Sequence, residues 1–115
     1  MTFAISASAV KAPWRDLIVT TYLISYDLNR PNGESAYPNL LNALRAAGAT
    51  RILYSEWVLR SNTGDAKAIA DAFLAHMDSN DGIFVTEVTT NTAWRTLQNE
   101  GTASPILHAV TRRAA

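Results

Sequence analysis

The sequence predicts an α+β domain with ferredoxin-like βαββαβ order, in which two helices pack on one face of a four-stranded antiparallel sheet. Three observations lead to this fold class. The 115 residues fit a single domain. Four segments have the alternating or β-branched character of strands, and two segments between them repeat apolar residues at helical spacing. Both helices can bury their apolar stripes if they share one face of the sheet.

The first strand is predicted at residues 20–27, which are rich in β-branched and aromatic residues and contain neither Gly nor Pro. Residues 28–37 follow with the Asn, Pro, Gly and Ser typical of a loop. Successive side chains of a strand point to opposite faces. We therefore expect one set to face the helices as core, namely Tyr22, Ile24 and Tyr26. We expect the other set to face away from the helices, namely Leu23, Ser25 and Asp27.

A helix is predicted from Pro38, which suits a first turn, to the residue before Gly48, which suits a helix end. Residues 51–60 are again extended, but ten residues are long for one strand. We expect a kink or tight reversal near residues 55–57 that divides them into two strands. A second helix follows from a predicted N-cap at Asp65.

The last strong strand is predicted at residues 83–89, and the weaker pattern at residues 105–115 fits either a short helix or a docking tail. The predicted organisation is a poorly ordered leader at 1–18, the ferredoxin-like domain at 19–91, and a tail at 92–115 that docks on the body or on a partner subunit. The second face of the sheet is expected to stay open. Apolar residues such as Leu23 and Trp57 on that face predict a homodimer.

Composition excludes several kinds of site. The absence of Cys removes disulfides, Cys-zinc centres and thiol nucleophiles, and two distant histidines leave oxygen ligands as the main option for a metal. The net charge of zero makes a duplex DNA clamp less favourable, although an excess of Arg over Lys keeps nucleic acid open as a partner. We find neither a membrane span nor a convincing signal peptide, and we expect a cytoplasmic protein.

Asp27 is the residue most suggestive of chemistry. It ends an otherwise apolar strand and opens a loop that contains Asn29 and Arg30. The alternative interpretation is that Asp27 caps the turn with Asn29. One carboxylate is a poor magnesium site, but in a two-fold dimer two Asp27 side chains could share one ion. Such an ion could orient a phosphodiester and activate a water molecule.

Three short motifs carry a resemblance to a known family over roughly residues 21–88. They are Tyr26-Asp27 at the end of the first strand, Gly48 after the first helix, and Ser55-x-Trp57 in the middle strand. In order and spacing the chain resembles the SinR-like small proteins, which are related to the second CRISPR-associated protein, a compact metal-dependent nuclease of spacer acquisition.

The resemblance implies a ferredoxin-like homodimer in which Asp27 is the catalytic residue and the ligand of a Mg²⁺ or Mn²⁺ ion shared across the dimer. It also implies that Ser55 and Arg30 bind substrate, with Arg30 contacting phosphate. The expected function is a divalent-metal-dependent endonuclease acting on RNA or DNA. The alternative is a non-catalytic dimeric module of the same fold that binds nucleic acid or regulates. The neutral charge counts against a DNA-clamping role within this family.

Overall fold

The computed structural model describes residues 19–111, so the predicted leader at residues 1–18 lies outside the described residues. The elements follow in chain order: β1 (Thr20–Asp27), a short 3-10 helix (Gly33–Ala36), α1 (Pro38–Ala46), β2 (Thr50–Leu53), β3 (Glu56–Ser61), α2 (Ala66–Leu74), β4 (Gly82–Glu87) and α3 (Glu100–Thr111). The predicted helices and strands before residue 90 are all present, with small differences at their ends. The expected reversal is also confirmed, because Tyr54 and Ser55 form the turn between β2 and β3.

The four strands form one sheet in the order β2-β3-β1-β4, and every neighbouring pair is antiparallel. The α+β class and the four-stranded antiparallel sheet are therefore confirmed. β1 lies in the middle, paired with β3 on one side and β4 on the other. The end of β1 is consequently held between two strands, and this fixes the backbone position of Asp27.

One face of the sheet packs against α1 and α2. The side chains of β1 that face the helices are Tyr22, Ile24 and Tyr26, and each is at most 6% exposed. They share a buried cluster with residues of both helices: Leu40, Leu44, Ile69 and Phe73. Two predicted helix boundaries are also confirmed. Asp65 caps α2 by accepting the Ala68 N–H at 3.1 Å, and Gly48 lies just beyond α1 with φ +84°.

The prediction of a fully open second face is wrong. After β4 the chain crosses the sheet from one edge to the other, and we call residues 89–97 the strap. Its ends are fixed by hydrogen bonds from Val88 N to Thr21 O (2.8 Å) and from Gln98 N to Ile52 O (3.0 Å). α3 then packs on β2 and completes a second buried cluster: Ile52, Val58, Leu97, Ala103 and Leu107. The second face thus has a covered part, and an uncovered part near the end of β1.

Trp57 also differs from its predicted position. It lies opposite Ile24 in the β1–β3 pairing, and residues directly opposite each other in a sheet share a face. Trp57 is therefore in the helix-covered core, at 3% exposure, and not on the second face. The pairing of β2 with β3 shifts register between Arg51 and Leu53, so one alternation cannot be extended through residues 51–60.

Candidate functional site

Asp27 is the last residue of β1 and its side chain is exposed. It lies opposite Gly82 at the start of β4. Two shallow clefts meet at this aspartate. The first, of about 120 Å³, is lined by Tyr26, Leu28, Gly33, Glu34, Tyr54 and Ser55 as well as Asp27. The second, of about 280 Å³, lies between Asp27 and Phe84. The sheet therefore presents this carboxylate at an accessible point with walls on two sides.

The loop that follows Asp27 is held by other residues. Asn29 donates its backbone N–H to Asp81 Oδ1 at 2.8 Å, and its side-chain amide donates to the Asn80 carbonyl. Asp81, rather than Asp27, is therefore the carboxylate that holds Asn29. Within residues 19–111 no donor is hydrogen-bonded to the Asp27 carboxylate. These contacts do not support the interpretation of Asp27 as a turn cap with Asn29.

Ser55 shares the first cleft with Asp27. It lies in the turn between β2 and β3, where its carbonyl accepts the Tyr26 N–H at 3.2 Å. That bond ties the turn to the penultimate residue of β1. The structure thus brings Asp27 and Ser55, which are 28 positions apart in the sequence, to one cleft.

Arg30 points to a different set of partners. Its Nε and Nη2 atoms donate to the two carboxylate oxygens of Asp78, each at 2.7 Å, and Nη1 donates to the Ala36 carbonyl at 2.7 Å. Its guanidinium also lies 4.5 Å from the centre of the Tyr37 ring. The hydrogen bond from Arg30 holds the pKa of the Asp78 carboxyl below its usual range. A phosphate would have to compete with Asp78 for this side chain.

A buried polar network forms the back of the first cleft. Arg51 binds both carboxylate oxygens of Glu34, at 2.9 and 3.0 Å. Trp57 Nε1 donates to the Tyr26 hydroxyl at 2.8 Å, and this hydroxyl donates to Glu34. The Arg51 guanidinium lies 4.6 Å from the centre of the Trp57 ring. Burial, reinforced by the hydrogen bond to Glu34, raises the pKa of Tyr26 to about 12.

This network was not predicted from the sequence, although one sequence signal points to part of it. A reversal centred on Tyr54 places Arg51 and Trp57 opposite each other, and these two residues are paired across β2 and β3. Glu34 has no such signal because it lies in the 3-10 turn after β1. Since Arg51 occupies both oxygens of Glu34, Asp27 is the carboxylate of this cleft that is free of protein hydrogen bonds within residues 19–111.

A metal ion would not find enough ligands in one copy of the described chain. Residues 19–111 contain no group of three or more His, Asp or Glu side chains that could hold an ion. Mg²⁺ in proteins commonly uses one or two carboxylates and keeps several water molecules. Asp27 alone therefore provides part of such a site, and further ligands would have to come from a second chain or from a substrate.

The fold and the cleft define a small α+β domain with an open antiparallel sheet and one accessible carboxylate at the end of a central strand. No family model matches the chain, and no solved structure matches it significantly. No helix among residues 19–111 is long and apolar enough to cross a membrane.

Proposed function

We propose that this protein is a homodimer in which two Asp27 carboxylates hold one Mg²⁺ or Mn²⁺ ion, and that the dimer cleaves phosphodiester bonds in RNA or DNA. The observation that carries the proposal is the state of Asp27. Its carboxylate is exposed at a rigid strand end and accepts no hydrogen bond within residues 19–111, whereas Glu34 in the same cleft is fully paired. A carboxylate without protein partners is available to a cation.

We assign the domain to the ferredoxin-like class and to the neighbourhood of the SinR-like proteins as part of the same proposal. The strand order β2-β3-β1-β4 supports it, as do the positions of α1 between β1 and β2 and of α2 between β3 and β4. The segments of the resemblance support it too, because Tyr26-Asp27 and Ser55 line one cleft. Trp57, at the back of this cleft, donates a hydrogen bond to the Tyr26 hydroxyl.

The proposed ion would also compensate for the lack of net positive charge on the chain. The net charge is zero, and Arg30 and Arg51 are both engaged in internal ion pairs. A divalent cation would supply the positive charge that a scissile phosphate requires, and it would lower the pKa of a bound water molecule that attacks phosphorus. Ser55, beside Asp27, would donate a hydrogen bond to a phosphate oxygen.

The surface around Asp27 supports the dimer. Phe84 lies opposite Ser25 in the pairing of β1 with β4, so it shares the face of Asp27, and it is 63% exposed. Tyr54, at the rim of the first cleft, is 66% exposed. Exposed aromatic side chains are typical of surfaces that contact a partner. A two-fold axis near Asp27 would cover both residues and bring the two carboxylates together.

The second candidate is a non-catalytic dimeric module of the same fold, which either binds nucleic acid or has a regulatory role. Its support is the lack of a three-ligand group among the described residues. The internal pairing of Arg30 and Arg51 favours the regulatory form of this candidate over the nucleic-acid-binding form.

The test is metal-dependent cleavage by Asp27→Asn compared with Asp71→Asn. Labelled single-stranded and duplex RNA and DNA are incubated with each protein in Mg²⁺, in Mn²⁺ or with a chelator. Asp71 is an exposed aspartate on α2 that pairs with Lys67, so its substitution is a matched control for charge. We expect wild type and Asp71→Asn to cleave only with metal, and Asp27→Asn to be inactive and still dimeric. Wild-type protein inactive on all four substrates would favour the non-catalytic module.

A further inference from the structure

Another cavity, separate from the two clefts beside Asp27, lies between the strap and the covered part of the second face of the sheet. Its volume is about 340 Å³. The floor is formed by Leu23 of β1 and by Ile52 and Val58 of β2 and β3, and Leu107 of α3 closes one side. The strap covers it with Trp94 and Leu97.

The strap is hydrogen-bonded to the sheet at its ends, and its middle is held by side-chain packing. The bonds from Val88 to Thr21 and from Gln98 to Ile52 hold the two ends. Among the described residues, no backbone hydrogen bond joins residues 92–95 to a strand. Thr96 has φ +53°, a conformation that costs energy for a β-branched residue and that is concentrated at ligand sites and switch segments. The middle of the strap is therefore fixed by packing, including the Trp94 ring 4.8 Å from the His108 ring, and not by strand pairing.

The size and lining of this cavity are those of a small-molecule site. Protein interiors are well packed and contain few voids larger than a water molecule. Ligand cavities typically measure roughly 300–1,000 Å³ and are mainly apolar, with a few polar groups that orient the ligand. Here the walls are aliphatic and aromatic, apart from Thr92 and two charged residues, Glu56 and Arg95.

Glu56 is the polar group best placed to select a ligand. It is half-buried in β3, where Ser25 Oγ donates to its Oε2 atom at 3.3 Å, and its Oε1 atom has no partner within residues 19–111. Arg95 lies on the strap and is exposed, so water screens its charge. Glu56, which lies on a strand, thus provides the charge that faces a ligand in this cavity, and that charge is negative. A complementary ligand carries a cationic or N–H-donating group.

We propose that this cavity binds a small, mainly apolar molecule that carries one protonated amine. The apolar part would lie against Leu23 and Val58 beneath the strap, and the ammonium group would bind Glu56. This proposal does not depend on dimerisation or on a metal at Asp27. The two sites are nevertheless adjacent, because Ser25, the partner of Glu56, also lines the second cleft beside Asp27.

The test uses three probes of one size: 1-naphthylmethylamine, 1-naphthalenemethanol and 1-naphthoic acid. Binding to the full chain is followed by the amide NMR signals of residues 92–97 and of Val58. We expect the amine to shift these signals at the lowest concentration, the alcohol at a higher one and the acid least. Glu56→Gln should weaken the amine about tenfold or more, because a hydrogen bond to a charged group is lost, and should leave the alcohol unchanged.

Filling the cavity provides an independent test. Leu23→Phe should abolish binding of the amine and the alcohol, whereas Leu74→Phe, at an exposed site on α2, should bind both as wild type does. Ala93→Leu fills the cavity from the exposed strap and replaces Leu23→Phe if that variant does not fold. The proposal is overturned if none of the probes shifts the strap signals at millimolar concentration. It is equally overturned if the acid binds as tightly as the amine, or if binding of the amine is unchanged in Glu56→Gln or in a filled variant.

Discussion

Substituting Arg51 by Met should lower the free energy of unfolding by about 2–3 kcal/mol, because it leaves the Glu34 carboxylate without its cation. The side chains of Arg51 and Glu34 are 18% and 13% exposed, and two hydrogen bonds join them. Exposed ion pairs contribute about 0–1 kcal/mol, whereas removing one partner of a fully buried pair costs about 3–5 kcal/mol. This pair lies between these limits, and Arg51 also loses its contact with the Trp57 ring.

A double-mutant cycle separates the ion pair from the ring contact. Glu34→Gln keeps the size of the side chain and the acceptor for the Tyr26 hydroxyl, but it removes the charge that faces Arg51. If the pair is the main interaction, the double variant should be less destabilised than the sum of the single variants, with a coupling energy of about 1–2 kcal/mol. Arg51→Met introduced into the Glu34→Gln variant then measures the contact with Trp57, as any further decrease in the free energy of unfolding.

Urea denaturation followed by far-UV circular dichroism measures these energies. With a slope of about 1–3 kcal/mol per M for a small domain, Arg51→Met should lower the urea midpoint by about 0.7–3 M without changing the slope. Lys67→Met is the control, because Lys67 and Asp71 form an exposed pair one helical turn apart, and its midpoint should not change measurably. A coupling energy below about 0.5 kcal/mol would refute the reasoning, because the Glu34–Arg51 pair would then behave as an exposed one.

Three further predictions concern the loops and the network around the same cleft. The pKa of Tyr26 is about 12 in the folded chain and about 10 when unfolded, so its stabilising contribution is complete below pH 10 and is lost as the pH rises to 12. Urea melts at pH 9 and pH 11 should show that the free energy of unfolding falls more between these pH values for wild type than for Tyr26→Phe. An equal fall in the two proteins would contradict this pKa. Arg30→Gln should raise the pKa of Asp78 towards its usual value, which a carboxyl NMR titration measures; an unchanged pKa would show that Arg30 does not stabilise the charged form. Gly33→Ala should cost about 1 kcal/mol in a urea melt, because Gly33 has φ +57° and an added Cβ would lie 3.2 Å from the Tyr54 hydroxyl. A neutral effect would show that this turn relaxes freely.

The elements before residue 90 could be predicted because each has a periodic pattern and a clear boundary residue. β1 alternates core and surface side chains, and its core set, Tyr22, Ile24 and Tyr26, is the buried set in the structure. Asp65 begins α2 because its carboxylate accepts the Ala68 N–H, and this preference of helix N-termini can be recognised from sequence. Such features depend on a few neighbouring residues, so a single sequence is enough to locate them.

The covering of the second face could not be predicted, because it depends on contacts between distant segments. α3 has only a weak apolar stripe and contains Pro105, so its sequence does not identify a packing partner. Its position follows from the bond between Gln98 and Ile52, which are 46 residues apart. The face of Trp57 could not be predicted for a related reason, because it depends on where the chain reverses and on the register shift after Arg51.

The position of Asp27 could be predicted for the same physical reasons, because this residue ends a strand. Ser55 was named only through the family resemblance, and its proximity to Asp27 depends on the turn between β2 and β3. Arg30 was expected to be available to phosphate, but its partner Asp78 is 48 residues away and could not be inferred from the loop itself. The Glu34–Arg51 pair was missed because a side chain in an irregular turn has no periodicity that indicates its direction.

The strap restricts how a second copy could share a metal ion with this one. It covers the part of the second face nearest the start of β1, so a partner that docks on this face without displacing α3 must lie where β1 ends and β4 begins, beside Phe84. Asp27 belongs to that same uncovered part. In the proposed dimer the two Asp27 carboxylates would hold the ion between them. Metal binding and dimerisation would then stabilise each other, since neither copy alone completes the site. Loss of the second chain and loss of the ion should consequently have the same effect on cleavage.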